Sequence, residues 1–312
     1  MHLLSVATSV LRALLVSLII AQIAIAEEAP SANLPKAQYT ERGVESCTGC
    51  HQNPSVTVIL QTPHAQQADP RTPFAAHGCE SCHGPGTEHL KSPRKETIPV
   101  RFGPHSPTSV AEQNQVCLNC HEGGERINWQ GSSHQFADVA CAACHQIHAW
   151  QDKVQIKASQ PEVCYDCHGP QRAQVRRFSH HPIEEGKVAC SDCHNPHGSF
   201  GPKLLLKATV NETCYLCHPE KRGPFLWEHA PVREDCRHCH APHGTTQPRL
   251  LKVRTPWLCQ QCHMEAFHPS TLYSGTGVPP RGVADRLLLK GCLNCHAQVH
   301  GSNHPSGVRL MR

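Results

Sequence analysis

The stretch Cys190-Ser191-Asp192-Cys193-His194-Asn195-Pro196-His197 contains the pattern that decides the fold, C-x-x-C-H, followed closely by a second histidine. All 20 cysteines of the 312-residue chain fall in such patterns, so there are ten motifs and no cysteine left over. We number these motifs 1 to 10 in chain order. They are Cys47/Cys50/His51, Cys79/Cys82/His83, Cys117/Cys120/His121, Cys141/Cys144/His145, Cys164/Cys167/His168, Cys190/Cys193/His194, Cys214/Cys217/His218, Cys236/Cys239/His240, Cys259/Cys262/His263 and Cys292/Cys295/His296.

C-x-x-C-H is the attachment site of c-type haem, in which two thiols bond to the porphyrin and the adjacent histidine becomes the proximal iron ligand. A structural disulfide, half of a zinc site and a thioredoxin-like redox pair can share the cysteine spacing, but none of them requires a histidine next. The chain has 26 histidines in 312 residues, so ten coincidences in succession are not credible. The sequence therefore predicts ten covalently attached haem c groups.

The composition is poor in the residues that normally build a core. After residue 26, Leu, Ile, Val and Phe number 49 of 286 residues, about 17%, which is below the level at which chains usually fold by burying apolar side chains. We expect the haems to supply the missing core. The predicted fold class is a multihaem cytochrome c, mostly coil with short helices wrapped around a chain of ten haems.

The charges argue against two classes of function. Lys and Arg number 29 and Asp and Glu 25, so there is no basic excess to neutralise phosphates on nucleic acid or on a membrane surface. We therefore expect no nucleic-acid partner.

The histidines outside the motifs divide the motifs into two types. Odd-numbered motifs have a histidine well downstream, at thirteen residues in three cases, and even-numbered motifs have one only three to six residues behind. The chain thus predicts five two-haem units, with ten partner histidines for ten irons. The predicted distal ligands are His64, His89, His134, His148, His181, His197, His229, His243, His268 and His300.

A histidine three residues after the proximal ligand is tethered to the same face of that haem, so it should reach a neighbouring iron. If each unit is self-contained, the ligands must cross: His148 would cap the haem on Cys117/Cys120, and His134 the haem on Cys141/Cys144. Iron held by two histidines lacks the axial methionine that raises potentials, so low potentials are expected. The histidines not expected to be ligands are His77, His105, His180, His238 and His304, with His304 as the alternative to His300.

The first 26 residues predict a cleaved signal peptide. They contain one basic residue, Arg12, an apolar run over residues 13–20, and the small-x-small ending Ala24-Ile25-Ala26. The predicted organisation is a signal peptide at 1–26, a loose leader at 27–46 and a decahaem domain at 47–312, in an exported protein.

Several linking phrases resemble one family, the decahaem periplasmic cytochromes of the MtrA, MtoA and DmsE type. The phrases are Cys193-His194-Asn195-Pro196-His197-Gly198-Ser199, residues 219–232 and residues 292–307. The resemblance implies that every haem has two histidine ligands and that the protein is inserted in an outer-membrane β-barrel porin. It also implies electron flow between periplasmic or inner-membrane cytochromes and the cell exterior, where an extracellular multihaem cytochrome is a further partner.

Three functions compete on the sequence alone. The first is an electron-transfer wire within a porin, serving extracellular metal respiration or iron(II) oxidation, in which the protein holds the haems and the iron does the redox chemistry. The second is a barrel-free periplasmic shuttle or store. The third is a multihaem reductase, which needs an iron with an open coordination position; no motif reads C-x-x-C-K and ten spare histidines match ten irons. The sequence therefore favours electron transfer over catalysis.

Overall fold

Short helices joined by coil make up the chain. The computed structural model describes residues 38–263 and 291–312, together with the backbone of two strands between them. The α-helices are Val44–Thr48, Pro54–Thr57, Pro73–Ala76, Glu80–His83, Thr87–Lys91, Val110–His121, Ser133–Phe136, Cys141–Cys144, Gln160–Tyr165, Gly169–Val175, Val210–Cys214, Ala230–Glu234 and Thr255–Gln260. The prediction of a mostly coil chain with short helices is confirmed.

Single 3₁₀ turns and one minimal sheet complete the secondary structure of the described residues. The 3₁₀ turns are Val58–Gln61, Pro63–Ala65, Lys95–Thr97, Gly124–Arg126, Lys153–Gln155, Cys190–Asp192, Pro202–Leu204, Pro219–Lys221, Cys236–His238, Pro248–Leu250 and Cys292–Asn294. The strands Glu265–Ala266 and His268–Pro269 pair antiparallel. Within the ranges described, no helix is long and apolar enough to cross a membrane.

The longest described helix, Val110–His121, shows how the sequence starts a helix and ends it on a motif. Ser109 accepts a hydrogen bond from the Glu112 backbone N–H, and the Glu112 carboxylate accepts one from the Ser109 backbone N–H. This capping box satisfies two of the free N–H groups at the helix start. Twelve residues later the helix ends at His121, so motif 3 occupies its last turn.

Each motif closes one helical turn. In motif 6 the His194 N–H donates to the Cys190 carbonyl at 3.0 Å, and in motif 1 the His51 N–H donates to the Cys47 carbonyl at 2.9 Å. Residues i, i+3 and i+4 of such a turn lie on one face. The turn therefore presents both thiols and the imidazole of a motif on the same side, as attachment to one haem requires.

Side-chain amides clamp the two motifs of a unit together. In unit 2, Asn114 accepts from the Cys141 N–H at 2.7 Å and donates to the Val139 carbonyl at 3.0 Å. Asn211 makes the equivalent bond to the Cys236 N–H in unit 4, at 2.8 Å. Both asparagines lie three residues before the first cysteine of an odd motif and are buried. In units 2 and 4, the two motifs that spacing groups together are therefore also joined in the structure.

The segment before motif 1 is held in place from Tyr39 onward. Glu80, only 4% exposed, accepts hydrogen bonds from the Thr40 N–H and hydroxyl and from the Gly86 N–H. Tyr39 stacks on His77 with ring centres 3.7 Å apart. The described part of the predicted leader is therefore packed rather than loose; the predicted signal peptide lies outside the described residues.

Buried apolar side chains are few in the described part of the chain. One cluster combines Tyr165, Val175 and Ile183, with Val188 packed against it. Val175 is the largest side chain that is less than 2% exposed. Protein side chains alone do not form a continuous core in these residues.

Candidate haem centres

A continuous cavity of about 4990 Å³ takes the place of a core. The cysteines and histidines of motifs 2 to 10 line it. Divided over nine motifs, this volume is about 550 Å³ each, within the range of roughly 300–1,000 Å³ for small-molecule and cofactor sites. The cavity thus has room for a large prosthetic group at each of these motifs.

Motif 1 differs from the other nine in its position relative to this cavity. Cys50 and His51 are exposed, Cys47 is half-buried, and none of the three lines the common cavity. Haem attachment at motif 1 stays a prediction from the C-x-x-C-H turn.

Within every unit, the two motifs meet through their first cysteines. The first cysteines that lie near enough for one thiol to shift the pKa of the other are Cys47 and Cys79, Cys117 and Cys141, Cys164 and Cys190, Cys214 and Cys236, and Cys259 and Cys292. In free thiols, this contact lowers the pKa of Cys79 to about 7 and raises the pKa of Cys47. The same contact recurs five times, so the units share one internal geometry.

Between units, the second cysteine of an even motif lies near the next odd motif. Burial, followed by the charges of Cys117 and Cys120, raises the pKa of the Cys82 thiol to about 11. The neighbours at the other unit boundaries are Cys144 with Cys167, Cys193 with Cys214 and Cys217, and Cys239 with Cys262. The ten motifs therefore follow one another in space in their sequence order.

Nine motif histidines face a second imidazole. The pairs and the distances between their ring centres are His51/His89 6.2 Å, His83/His148 6.3 Å, His121/His64 6.0 Å, His145/His197 6.0 Å, His168/His134 6.1 Å, His194/His243 6.1 Å, His218/His181 6.4 Å, His240/His300 6.1 Å and His263/His229 6.1 Å. All nine partners are among the ten histidines predicted as distal ligands. The tenth, His268, has its side chain outside the described residues.

The uniform spacing fits one metal ion between two imidazoles. A metal–nitrogen bond is about 2.0–2.1 Å and the ligating nitrogen lies roughly 1.2 Å from its ring centre, so two ligands on one straight line place their ring centres about 6.4–6.6 Å apart, and any bend at the metal brings the ring centres closer together. Direct ring stacking would be closer, as in the 3.7 Å contact between Tyr39 and His77. The histidine pairs therefore have the separation that axial ligation of haem iron requires.

The partners come from neighbouring units, so the crossing predicted within each unit is wrong. His148 faces His83 of unit 1 instead of His121, and His134 faces His168 of unit 3 instead of His145. A partner histidine that follows an odd motif faces a motif histidine of the next unit. A partner histidine that follows an even motif faces a motif histidine of the preceding unit. His89 is the exception, because it faces His51 within the first unit.

Backbone bridges fix this exchange. Ser179 and Thr245 exchange two N–H···O bonds of 3.0 and 2.8 Å, two residues before His181 and two residues after His243. Trp227 and Ser302 form the same bridge beside His229 and His300. Because these bridges join consecutive units, His181 and His243, and likewise His229 and His300, are held across a unit boundary.

Hydrogen bonds orient the partner imidazoles at the same boundaries. The Nδ1–H group of His134 donates to the Pro196 carbonyl at 2.8 Å, that of His181 to Pro242 at 2.7 Å, and that of His229 to Val299 at 3.0 Å. Each acceptor immediately precedes the histidine that the next unit sends back. A bond from Nδ1 leaves Nε2 of the ring available to a metal ion.

A strap downstream of each even motif holds its motif histidine, and sequence reasoning missed these residues. The acceptors for the motif Nδ1–H groups are the Val100 carbonyl, the Asp152 carboxylate, and the Lys203, Arg249 and Leu310 carbonyls. For two of these acceptors, Lys203 and Arg249, a repeated sequence phrase could have indicated the strap. The phrase Pro-basic-Leu-Leu occurs at residues 202–205 and again at 248–251.

Four of the five histidines predicted not to be ligands have other contacts. His77 stacks on Tyr39, and His180 donates to the Arg177 carbonyl and lies against Glu185. His238 lies 3.5 Å from Glu234, and His304 accepts from the Ser306 N–H. Within the described ranges none of the five faces a motif histidine.

Two family models and several characterised proteins are similar to this chain. A doubled C-x-x-C-H motif model matches residues 180–223 and 229–268, and a model of cytochrome c-type proteins of the NrfB-like kind matches residues 79–160. The multihaem cytochrome MtrA of Shewanella baltica is 49% identical over 280 residues, 89% of this chain and 84% of that protein. The cytochrome c-type protein NrfB of Escherichia coli is 32% identical over 132 residues, 41% of this chain and 66% of that protein.

The NrfB likeness covers less than half of the chain, whereas the MtrA likeness covers 89% of it. The prediction of covalently bound haem c is confirmed by this family likeness and by the doubled motifs. The resemblance noted from the linking phrases is confirmed as well, and the chain belongs to the MtrA family of multihaem electron-transfer cytochromes.

Proposed function

We propose that the protein carries ten haems, each with two histidine ligands, and conducts electrons along them in sequence order. The observation that carries this proposal is the combination of nine opposed histidine pairs with an unbroken succession of neighbouring motifs. The covalently bound haem supplies the reversible one-electron chemistry. The polypeptide holds the imidazoles, limits access of water and sets the distances between centres.

For the haem of motif 10, we assign His296 and His268 as the axial ligands. His296 is the histidine of motif 10, and His268 is the partner histidine that the sequence predicts downstream of motif 9. The assignment mirrors the beginning of the chain, where His89 closes motif 1 within its own unit. In this assignment, the haems of motifs 1 and 10 each take both axial ligands from their own unit, unit 1 and unit 5.

The ligand assignment predicts different outcomes for two histidines four residues apart. Replacing His300 by Leu should convert one haem, that of motif 8, from low-spin to high-spin, because His300 faces His240 at 6.1 Å. Replacing His304 by Leu should leave all haems low-spin, since its ring accepts only a local N–H. Electron paramagnetic resonance of the two oxidised variants checks this. A high-spin signal in the His304 variant, or none in the His300 variant, would contradict the assignment.

We further propose that the protein works in the periplasm, inserted in an outer-membrane β-barrel porin that connects periplasmic or inner-membrane cytochromes with the cell exterior. The family likeness supports this setting. Physical chemistry supports the need for a barrel: lipid tolerates neither irregular backbone nor unpaired charge, and each haem brings two propionates. A barrel satisfies its own backbone hydrogen bonds and can present a polar lumen to the cytochrome.

The setting can be tested with the native protein in membranes. We expect co-purification with a barrel protein in mild detergent, and electron transfer across liposomes when both proteins are present. Liposomes with the barrel alone and with the cytochrome alone are the controls. Recovery of all the protein as a free periplasmic monomer, with no transfer across liposomes in the presence of the barrel, would instead support a barrel-free shuttle or store.

A further inference from the structure

The motif 4 histidine differs from the other even-motif histidines in the group that accepts its Nδ1–H bond. In motifs 2, 6, 8 and 10 the acceptor is a neutral carbonyl, at 3.1, 2.9, 2.9 and 3.1 Å. In motif 4 the acceptor is the Oδ2 atom of Asp152, at 2.7 Å from His145 Nδ1. Asp152 thus stands where its counterparts offer a carbonyl.

The Asp152 carboxylate is fixed in this position by its own strap. It accepts from the Gln146 N–H at 3.2 Å, from the Gln155 side-chain amide at 3.2 Å and from the Val154 N–H at 3.4 Å. Its side chain is 12% exposed, and that of His145 is 29% exposed. Solvent therefore screens the contact less than it would at an open surface.

A carboxylate acceptor changes the electronic character of a ligating imidazole. A hydrogen bond to an ionised acceptor is shorter and roughly twice as strong as one between neutral groups, and it raises the basicity of the ligand. A more basic ligand stabilises the oxidised iron relative to the reduced iron. The negative charge of Asp152 acts in the same direction, because it opposes the addition of an electron nearby.

The second predicted ligand of this haem, His197, has a smaller effect on the reduction potential than the bond between Asp152 and His145. His197 faces His145 at 6.0 Å, and its Nδ1 atom is buried without a hydrogen-bond partner in the described residues. The missing neutral hydrogen bond makes His197 a weaker electron donor and so raises the potential. Because a charged hydrogen bond exceeds a neutral one, the effect of Asp152 prevails.

We propose that Asp152 lowers the reduction potential of the motif 4 haem and thereby makes it a low-potential step between motifs 3 and 5. This inference rests on the proposed bis-histidine ligation. Asp152 is a positioning and tuning residue: it acts on the iron only through His145.

The test is Asp152→Asn in the full haem-loaded protein, followed by a redox titration monitored by electron paramagnetic resonance. One haem should become easier to reduce, with its ratio of reduced to oxidised form at fixed potential rising at least tenfold, or about 59 mV for one electron. The near-infrared charge-transfer band of one low-spin haem in magnetic circular dichroism should shift as its imidazole loses anionic character. The other nine haems should titrate as in the wild type.

Glu220→Gln is the matched control. Glu220 Oε1 lies 3.7 Å from the Nδ1 atom of His218, too far for a hydrogen bond, and the Glu220 side chain is 57% exposed. This variant removes a carboxylate beside a motif histidine, yet it should change no haem ratio by more than about twofold, because solvent screens an exposed charge.

The outcomes separate the two proposals. An unchanged titration of Asp152→Asn, with ten low-spin haems present, overturns the tuning role and leaves the ligation intact. A high-spin haem in the wild type overturns the ligation itself. If Asp152→Asn fails to assemble, the wild type still decides: absence of one haem with the charge-transfer signature of an anionic imidazole overturns the tuning role.

Discussion

Expressed without haem attachment, the chain should be unfolded. Leu, Ile, Val and Phe make up about 17% of residues 27–312, and ordering a residue costs about 1–2 kcal/mol of backbone entropy alone. The cavity of about 4990 Å³ lies where a core would be, and the buried apolar cluster in the described residues, Tyr165, Val175 and Ile183, is too small to offset this cost. We therefore expect the holoprotein to be folded and the haem-free chain to have no folded state.

Circular dichroism and thermal scans of the haem-free chain under reducing conditions, beside the mature holoprotein, measure this effect. We expect coil-like spectra and no cooperative transition without haem. Mass spectrometry of the holoprotein should find ten haem masses above the polypeptide. Cooperative melting of the haem-free chain, or a cysteine of the holoprotein in a disulfide, would contradict the prediction.

Gly244→Ala should break the boundary between units 3 and 4. Gly244 has φ of +147°, and a Cβ atom there would lie 2.1 Å from the Gln174 carbonyl oxygen and 3.3 Å from that of Ser179. The clashing atoms are backbone, so they cannot move aside as a flexible side chain would. His243, the partner of His194, and the Ser179–Thr245 bridge flank this glycine.

We expect the Gly244→Ala variant to lose about 3 kcal/mol of stability, the upper end of ordinary single substitutions, and to show a high-spin fraction at the motif 6 haem. Melting temperature and electron paramagnetic resonance measure the two effects. Gly123→Ala is the control, because no atom lies within 4 Å of the added Cβ and its φ is −89°. Equal melting temperatures for the two variants would show that the close approach at Gly244 is dispensable.

The even-motif partner histidines are followed by glycine in the last three units, at Gly198, Gly244 and Gly301. All three have positive φ, and an added Cβ at each would meet the neighbouring unit at 2.0–2.2 Å. The sequence displayed the repeated His-Gly pair, but its meaning depends on which chain segment approaches it. Only the packing of consecutive units identifies Asn128, Gln174 and Phe225 as those neighbours.

Local features and the cofactor chemistry of this protein can be predicted from its amino-acid sequence. The C-x-x-C-H spacing places two thiols and an imidazole on one face of a turn, so the cofactor and its attachment follow from five consecutive residues. The alternation of partner spacing predicted the two-haem units. The composition predicted that side chains would not form the core.

The tertiary structure alone decided which histidine faces which motif. Thirteen residues, the separation of His121 and His134, span up to roughly 45 Å when extended, at about 3.3–3.6 Å per residue. Spacing therefore cannot select one iron among several neighbours. The selection is made by contacts far apart in sequence: the bridges Ser179–Thr245 and Trp227–Ser302, and the bonds from His134 and His181 to carbonyls of the following unit. Because these contacts form only when consecutive units pack, the exchange of ligands between units is a property of the fold rather than of any one motif.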